Sequence, residues 1–162
     1  MAALRACIKK TPSFHLAPGT LGRELHRQGR HEEAIPEFRM AAGLHAGACA
    51  TGEAQDLHAG QVTNVTCSIG ECLKTLGRLE EAPNNFRLAI SFHLQQAGTH
   101  PAGSRMHQMH AVHAAGLYTV LASLLKHAGR LNDARQVLSE GLRLFPGYPD
   151  LLDLRKTLDA AP

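Results

Sequence analysis

The sequence predicts an all-helical fold, and three observations support that prediction. Aromatic residues make up only 4% of the chain, whereas Ala, Leu and Gly dominate an apolar content of 44%, a composition that suits close helix–helix packing. Long segments carry apolar residues at helical spacing, and alternating strand patterns are missing. A turn motif centred on Gly also recurs three times. The length of 162 residues predicts one domain.

The recurring motif lies in residues 28–38, 76–86 and 128–138. Each copy has a Gly-Arg turn, with large and small apolar residues at fixed distances on both sides. This alternation lets two antiparallel helices approach closely, because small side chains on one accept large ones from the other. The shared positions, in chain order, are Leu21, Ile69 and Leu121; Gly22, Gly70 and Ala122; Leu25, Leu73 and Leu125; the turn glycines Gly29, Gly77 and Gly129; Ala34, Ala82 and Ala134; Phe38, Phe86 and Leu138; and Ala41, Ala89 and Gly141.

The pattern resembles the tetratricopeptide repeat (TPR), a helix–turn–helix unit that stacks into a right-handed superhelix. The resemblance covers roughly residues 15–148. It implies three antiparallel helix pairs, over about 15–52, 53–99 and 104–146.

The copies are longer than ordinary TPR units, since their glycines lie 48 and 52 residues apart instead of about 34. We therefore expect extended first helices of about 24 residues. The connections are predicted at 43–52 and 96–104, which are rich in Gly and small residues. Long copies of this kind resemble the kinesin-light-chain variety of TPR, as do "EEAIP" at 32–36 and the dipeptide His100-Pro101.

The second helix of each copy is predicted to begin just after the turn. Acidic residues are expected in its first turn, where they favour the positive end of the helix dipole. Pro36 and Pro83 are expected near the same end, where proline removes few hydrogen bonds. Asn132 is predicted as the N-cap of the third copy. The acidic residues are Glu32, Glu33, Glu80, Glu81 and Asp133.

The two ends of the chain have separate predictions. Residues 1–14 form a basic tail without acids, and the alternative is a mitochondrial or plastid transit segment. Residues 149–162 are predicted as a C-terminal capping helix that begins at Pro149 or Asp150 and covers the last apolar face of the array.

Cysteine and histidine residues offer the candidates for chemistry. The four cysteines form no CxxC pair, so free thiols are predicted, ahead of a disulfide or a zinc site. Cys67 and Cys72 with His93 have no spacing typical of a catalyst. Histidines are densest at 100–113, where His107, His110 and His113 cannot all face one ion on a straight helix. They are therefore predicted to be solvent-facing or partly packed, and no metal, cofactor or catalytic residue is predicted.

Partner binding is the function that the resemblance implies. TPR modules bind peptides on the concave face, formed mainly by the first helix of each repeat. The carboxylate clamp for chaperone tails is not expected, since of its five matching positions only Arg23 is cationic. The concave positions predicted to bind a partner are Arg23, Arg27, Asn64, Glu71, Lys74, Thr119, Ser123 and Lys126.

The sequence thus favours a non-catalytic interaction scaffold, a small subunit that contacts one or more proteins within a larger assembly. A peptide-binding adaptor that uses the concave groove is the alternative. RNA binding is disfavoured by a net charge of only +3 and by two Tyr and no Trp. No apolar run approaches a membrane span, and no P-loop, GxSxG or HExxH motif supports an enzyme. The predicted location is the cytoplasm, including the cytoskeleton.

Overall fold

The computed structural model describes residues 16–52 and 54–159, and within those ranges the chain contains helices and no strand. The all-helical prediction is therefore confirmed for this part of the chain. A 3-10 turn at Leu79–Glu81 is the one short helical segment. The α-helices are α1 (Leu16–Arg27), α2 (His31–Ala50), α3 (Gln55–Thr75), α4 (Ala82–Gly98), α5 (Arg105–His127), α6 (Leu131–Leu144) and α7 (Pro149–Asp159).

The chain divides into two compact units, although its length predicts one domain. The N-terminal unit ends at Arg78, and the C-terminal unit begins at Leu79. In the first, α2 packs against both α1 and α3. In the second, α5 packs against α4 and α6, and α7 contacts both α5 and α6. The division falls after α3, inside the second predicted helix pair.

The turn glycines adopt the left-handed backbone conformation. Their φ angles are +73° at Gly29, +69° at Gly77 and +74° at Gly129. In every copy the N–H of the following Arg donates to the carbonyl of the Leu four residues before the Gly, over 2.8–2.9 Å. This is the Schellman arrangement, which requires a left-handed residue that Gly adopts without steric cost.

Replacing Gly29 by Ala is expected to lower the free energy of unfolding by about 1 kcal/mol, because a Cβ disfavours the left-handed backbone. No atom lies within 4 Å of the added Cβ, so the loss arises in the backbone. Gly43 lies inside α2 with equally open space, and Gly43→Ala should raise stability by about 0.5–1 kcal/mol. Urea unfolding of both variants tests this, and effects of the same sign would contradict it.

The alternation of large and small residues forms the core of each unit. Ala34, Ala82 and Ala134 are completely buried. An added Cβ at Gly22 would lie only 2.7 Å from the Phe38 ring, so the glycine makes room for that ring. In the third copy Gly141 makes room for Tyr118, because a Cβ at this position would lie 3.1 Å from that side chain.

Helix lengths agree with the predicted extension, with one correction. The first helices α3 and α5 have 21 and 23 residues, close to the predicted 24. The first connection is shorter than predicted, because α2 continues through 43–50. Three alanines in that stretch favour helix enough to offset Gly43 and Gly47. The second connection begins after Gly98, near its predicted position.

Helix starts differ among the copies. Glu32, Glu33 and Asp133 lie in first turns as predicted. Glu80 and Glu81 instead form the 3-10 turn before α4, so their prediction was wrong.

The two prolines and Asn132 were also predicted near helix starts. Pro83 occupies the beginning of α4 and Pro36 lies inside α2 without breaking it, as predicted. Asn132 is the second residue of α6 and Arg130 occupies the cap position, so the predicted N-cap was wrong. The first helical hydrogen bond explains the difference. The backbone N–H of Ala134 donates to the Arg130 carbonyl at 3.0 Å, so the helix begins before Asn132.

The remaining predictions concern the ends, the cysteines and membranes. The tail 1–14 and Cys7 lie outside the described residues. Helix α7 begins at Pro149 as predicted and buries Leu151 and Leu158. The three cysteines in the described ranges are free. Within these ranges no helix combines the length and apolarity needed to span a bilayer.

Candidate interaction surfaces

The predicted concave positions all reach the surface. The side chains on α1 and α3 in the N-terminal unit are exposed, and those on α5 in the C-terminal unit are half-buried. None of them is enclosed in a core, so each is available for contact within its own unit. The exposed group is Arg23, Arg27, Asn64, Glu71 and Lys74, and the half-buried group is Thr119, Ser123 and Lys126.

Two cations of this set, Arg27 and Lys126, form hydrogen bonds within their own units. Arg27 forms two hydrogen bonds to the Glu24 carboxylate, at 2.8 and 3.1 Å, which lower the pKa of that carboxyl. Lys126 Nζ donates to the Thr157 hydroxyl at 3.0 Å. Such exposed contacts contribute little to stability, so a partner carboxylate can replace them at small cost.

Each unit also carries exposed apolar residues, which the sequence analysis missed, on α2 in the N-terminal unit and on α4 in the C-terminal unit. Met40 and Leu88 occupy the same position, eleven residues after their turn glycines, and their side chains are 45% and 72% exposed. Leu44 and Phe92, half-buried, follow one helical turn later in both copies. We call these four residues the outer apolar positions. The third copy has Glu140 in place of the leading residue.

In the C-terminal unit, Leu88 lines a shallow depression on α4. Its volume is about 470 Å³, and it is lined by Asn84, Arg87, Leu88 and Ser91. All four residues belong to one helix, so the depression is an open face and does not enclose a small molecule. Such a face is better suited to a protein surface than to a small-molecule ligand.

Two pairs of buried histidines join consecutive helices at equivalent positions. His45 and His93 lie sixteen residues after their turn glycines, and His58 and His110 lie nineteen residues before theirs. The Nδ1 atoms are 2.9 Å apart in the pair of α2 and α3, and 3.1 Å apart in the pair of α4 and α5. One ring must donate its Nδ1–H to the lone pair of the other. At least one ring of each pair must therefore be neutral, because the accepting Nδ1 cannot carry a proton.

The C-terminal pair lies within a larger group of aromatic rings. His113 stacks on His93 with centroids 5.1 Å apart, and His100 stacks on His110 at 5.9 Å. Burial, followed by the charges of His113 and His110, lowers the pKa of His93 from 6.5 to about 3. Burial also lowers the pKa of His113. The prediction of a solvent-facing or partly packed cluster holds for His107 and His113, but His110 is fully buried.

The three thiols in the described part of the chain are not activated as nucleophiles. Burial raises the pKa of the Cys49 and Cys67 thiols, and it raises the pKa of Cys72 to about 11. A nucleophilic cysteine needs the opposite shift, because the thiolate is the reactive form. Cys72 contacts His26, and His93 pairs with His110, so the set of Cys67, Cys72 and His93 is not assembled.

One group of side chains in the described ranges could hold a metal ion. It consists of His26, His31 and Cys72, whose ligand atoms lie within 4.8 Å of one another. The sequence analysis did not identify it, because His26 and Cys72 belong to different copies and are 46 residues apart.

Comparison with known proteins gives no family assignment. No family model matches the chain, and no curated protein is significantly similar to it.

Proposed function

We propose that this protein is a non-catalytic, TPR-type interaction scaffold, a small structural or assembly subunit within a larger complex. The observation that carries the proposal is the exposure of Met40 and Leu88 at one position of two repeat copies. The helix pairs with Schellman turns and the Gly-Arg motif support the TPR superhelix, which remains part of the proposal.

The outer apolar positions favour a protein partner that covers helical surface. Burying a Leu or Met side chain contributes about 1.5–3 kcal/mol relative to leaving it in water. Met and aromatic residues are enriched at protein interfaces, and charged residues are depleted from interface cores. The recurrence of the apolar residues on α2 and α4 matches a partner that contacts each copy in the same way.

The peptide-binding adaptor remains the second candidate function. It is favoured by the exposed cations Arg23, Arg27 and Lys74 on the first helices α1 and α3. An extended acidic peptide could bind them in place of the local partners of Arg23 and Arg27. The scaffold would bind through apolar residues and the adaptor through cations. Substitutions at apolar and at charged positions therefore distinguish the two functions.

The substitution Leu88→Asp is expected to remove the partner proteins, because it places a charge in the centre of an apolar contact. A loss of at least tenfold in recovered partner is expected from a hot spot worth about 1.4 kcal/mol or more. The measurement is quantitative mass spectrometry of proteins that co-purify with the tagged full-length chain from its native source.

The matched control is a double charge reversal, Arg23→Glu with Lys74→Glu, which leaves the outer apolar positions intact. Both variants are first checked for wild-type helicity by circular dichroism. Under the scaffold proposal the control keeps its partners and Leu88→Asp loses them. The reverse result would reject the scaffold and favour the adaptor.

A further inference from the structure

The side chains of His26, His31 and Cys72 meet in the N-terminal unit. His26 lies in the last turn of α1, His31 is the first residue of α2, and Cys72 lies near the end of α3. The His26 Nδ1 atom is 3.2 Å from His31 Nδ1 and 3.2 Å from Cys72 Sγ. Cys72 is buried and both histidines are half-buried, so the group is reached from solvent on the histidine side.

Hydrogen bonding alone does not explain this convergence. A neutral imidazole Nδ1 either carries one hydrogen or offers one lone pair. The His26 Nδ1 therefore cannot make a full hydrogen bond to His31 and another to Cys72 at the same time. Three atoms that are all lone-pair donors when deprotonated are better satisfied by one cation between them.

We propose that His26, His31 and Cys72 form a binding site for one Zn²⁺ ion. A tetrahedral zinc ion with bonds of about 2.0–2.1 Å to nitrogen and 2.3 Å to sulfur separates two nitrogens by about 3.4 Å, and a nitrogen from a sulfur by about 3.6 Å. Both measured separations of 3.2 Å are within a few tenths of an ångström of these values. Three protein ligands leave the fourth position for water.

The charges around the site are compatible with a cation. Glu71 precedes Cys72 in the chain and is exposed, so its negative charge attracts a divalent ion to this part of the unit. The two arginines that follow turn glycines in this unit are paired with carboxylates. Arg30 bonds Glu33 at 2.6 Å, and Arg78 bonds Glu32 at 2.6 Å.

The ion would join two repeat copies. His26 and His31 flank the first Schellman turn, and Cys72 lies one turn before the second. A zinc ion at this point ties the turn between α1 and α2 to the end of α3. Because the unfolded chain does not hold the three ligands together, binding adds to the stability of the N-terminal unit.

The test uses the reduced, metal-stripped full-length chain with Co²⁺ as a spectroscopic probe and Zn²⁺ as its competitor. We expect one equivalent of Co²⁺ to give thiolate-to-cobalt charge transfer and the intense visible bands of a tetrahedral site, both removed by Zn²⁺. Cys72→Ser should abolish the charge-transfer band and weaken Zn²⁺ binding by about 100-fold or more. Zn²⁺ should raise the melting temperature of the wild type and not that of the variant.

The matched controls are Cys67→Ser, which removes a nearby free thiol, and His127→Gln, which removes an exposed histidine. Both should retain the wild-type cobalt spectrum and zinc affinity. If Cys72→Ser does not fold, His31→Gln, at a less buried position, takes its place and should lose the same affinity. Wild-type cobalt binding without a thiolate band, or zinc binding unchanged in Cys72→Ser, would overturn the proposal and identify adventitious binding by other histidines.

Discussion

Lowering the pH from 7 to 4.5 is expected to reduce the free energy of unfolding of the C-terminal unit by about 2.5 kcal/mol through His93 alone. The pKa of His93 is about 3 in the folded chain and 6.5 for the ordinary imidazole. Between those values the unfolded chain binds the proton and the folded chain does not. Stability is therefore lost as the pH falls through 6.5, and the loss levels off below about 3.

The structural reason is the buried pair of His93 and His110. Protonating both rings places a hydrogen on each Nδ1 and removes the 3.1 Å hydrogen bond between them. The charges that face His93 most closely are those of His113 and His110, and like charges disfavour its protonation further. Glu80 and Glu81 lie in the 3-10 turn before α4, and the eleven helical residues up to His93 alone span roughly 16 Å at 1.5 Å per residue.

The measurement is a series of urea unfolding curves between pH 7 and pH 4.5. His93→Gln removes the titrating group and keeps a polar side chain that can bond His110, so its stability should depend less steeply on pH. His127→Gln removes an exposed histidine and should leave the pH dependence of the wild type. Parallel curves for the wild type and His93→Gln would show that His93 does not cause the acid sensitivity.

The part of the fold that could be predicted from the sequence is the part set by local backbone rules. Gly29, Gly77 and Gly129 each end a helix in the left-handed conformation. The recurring Gly-Arg motif is enough to locate these helix ends in the sequence. The predicted connection at 43–52 is wrong over 43–50, because the alanines around Gly43 and Gly47 continue α2 to Ala50. Intrinsic propensity summed over several residues outweighs one or two glycines.

The histidine pairs and the His–Cys group were missed for a different reason. The sequence analysis considered histidines close together in one helix, but His45 pairs with His58 and His93 with His110 across a connection. Their equal distances from the turn glycines were present in the alignment and could have revealed both pairs. No such register links His26 to Cys72, because their contact depends on how far apart α1 and α3 lie.

Gly22→Ala is expected to destabilise the N-terminal unit by about 2 kcal/mol, the typical cost of overpacking a tight core. The added methyl group would lie 2.7 and 2.8 Å from the Cδ1 and Cε1 atoms of Phe38. Phe38 is completely buried, so a shift of its ring has to displace neighbouring core atoms. The better helix propensity of Ala offsets at most about 1 kcal/mol of this loss.

The third copy has a different pair of residues at the positions aligned with Gly22 and Phe38. These are Ala122 and Leu138, both buried, so a methyl group is combined there with a smaller partner side chain. Phe38→Leu alone should lose stability through the space it leaves. The double variant Gly22→Ala, Phe38→Leu should lose at least 1 kcal/mol less than the sum of the single variants, because the smaller side chain makes room for the methyl group.

A double-mutant cycle of urea unfolding measures this coupling directly. The matched cycle combines Phe38→Leu with Gly43→Ala, whose methyl group meets no atom within 4 Å, and it should be additive. Additivity in the Gly22 cycle as well would contradict a direct contact as the source of the effect. Coupling in the Gly22 cycle alone would show that the matched sizes of the side chains at positions 22 and 38 determine how closely α1 approaches α2.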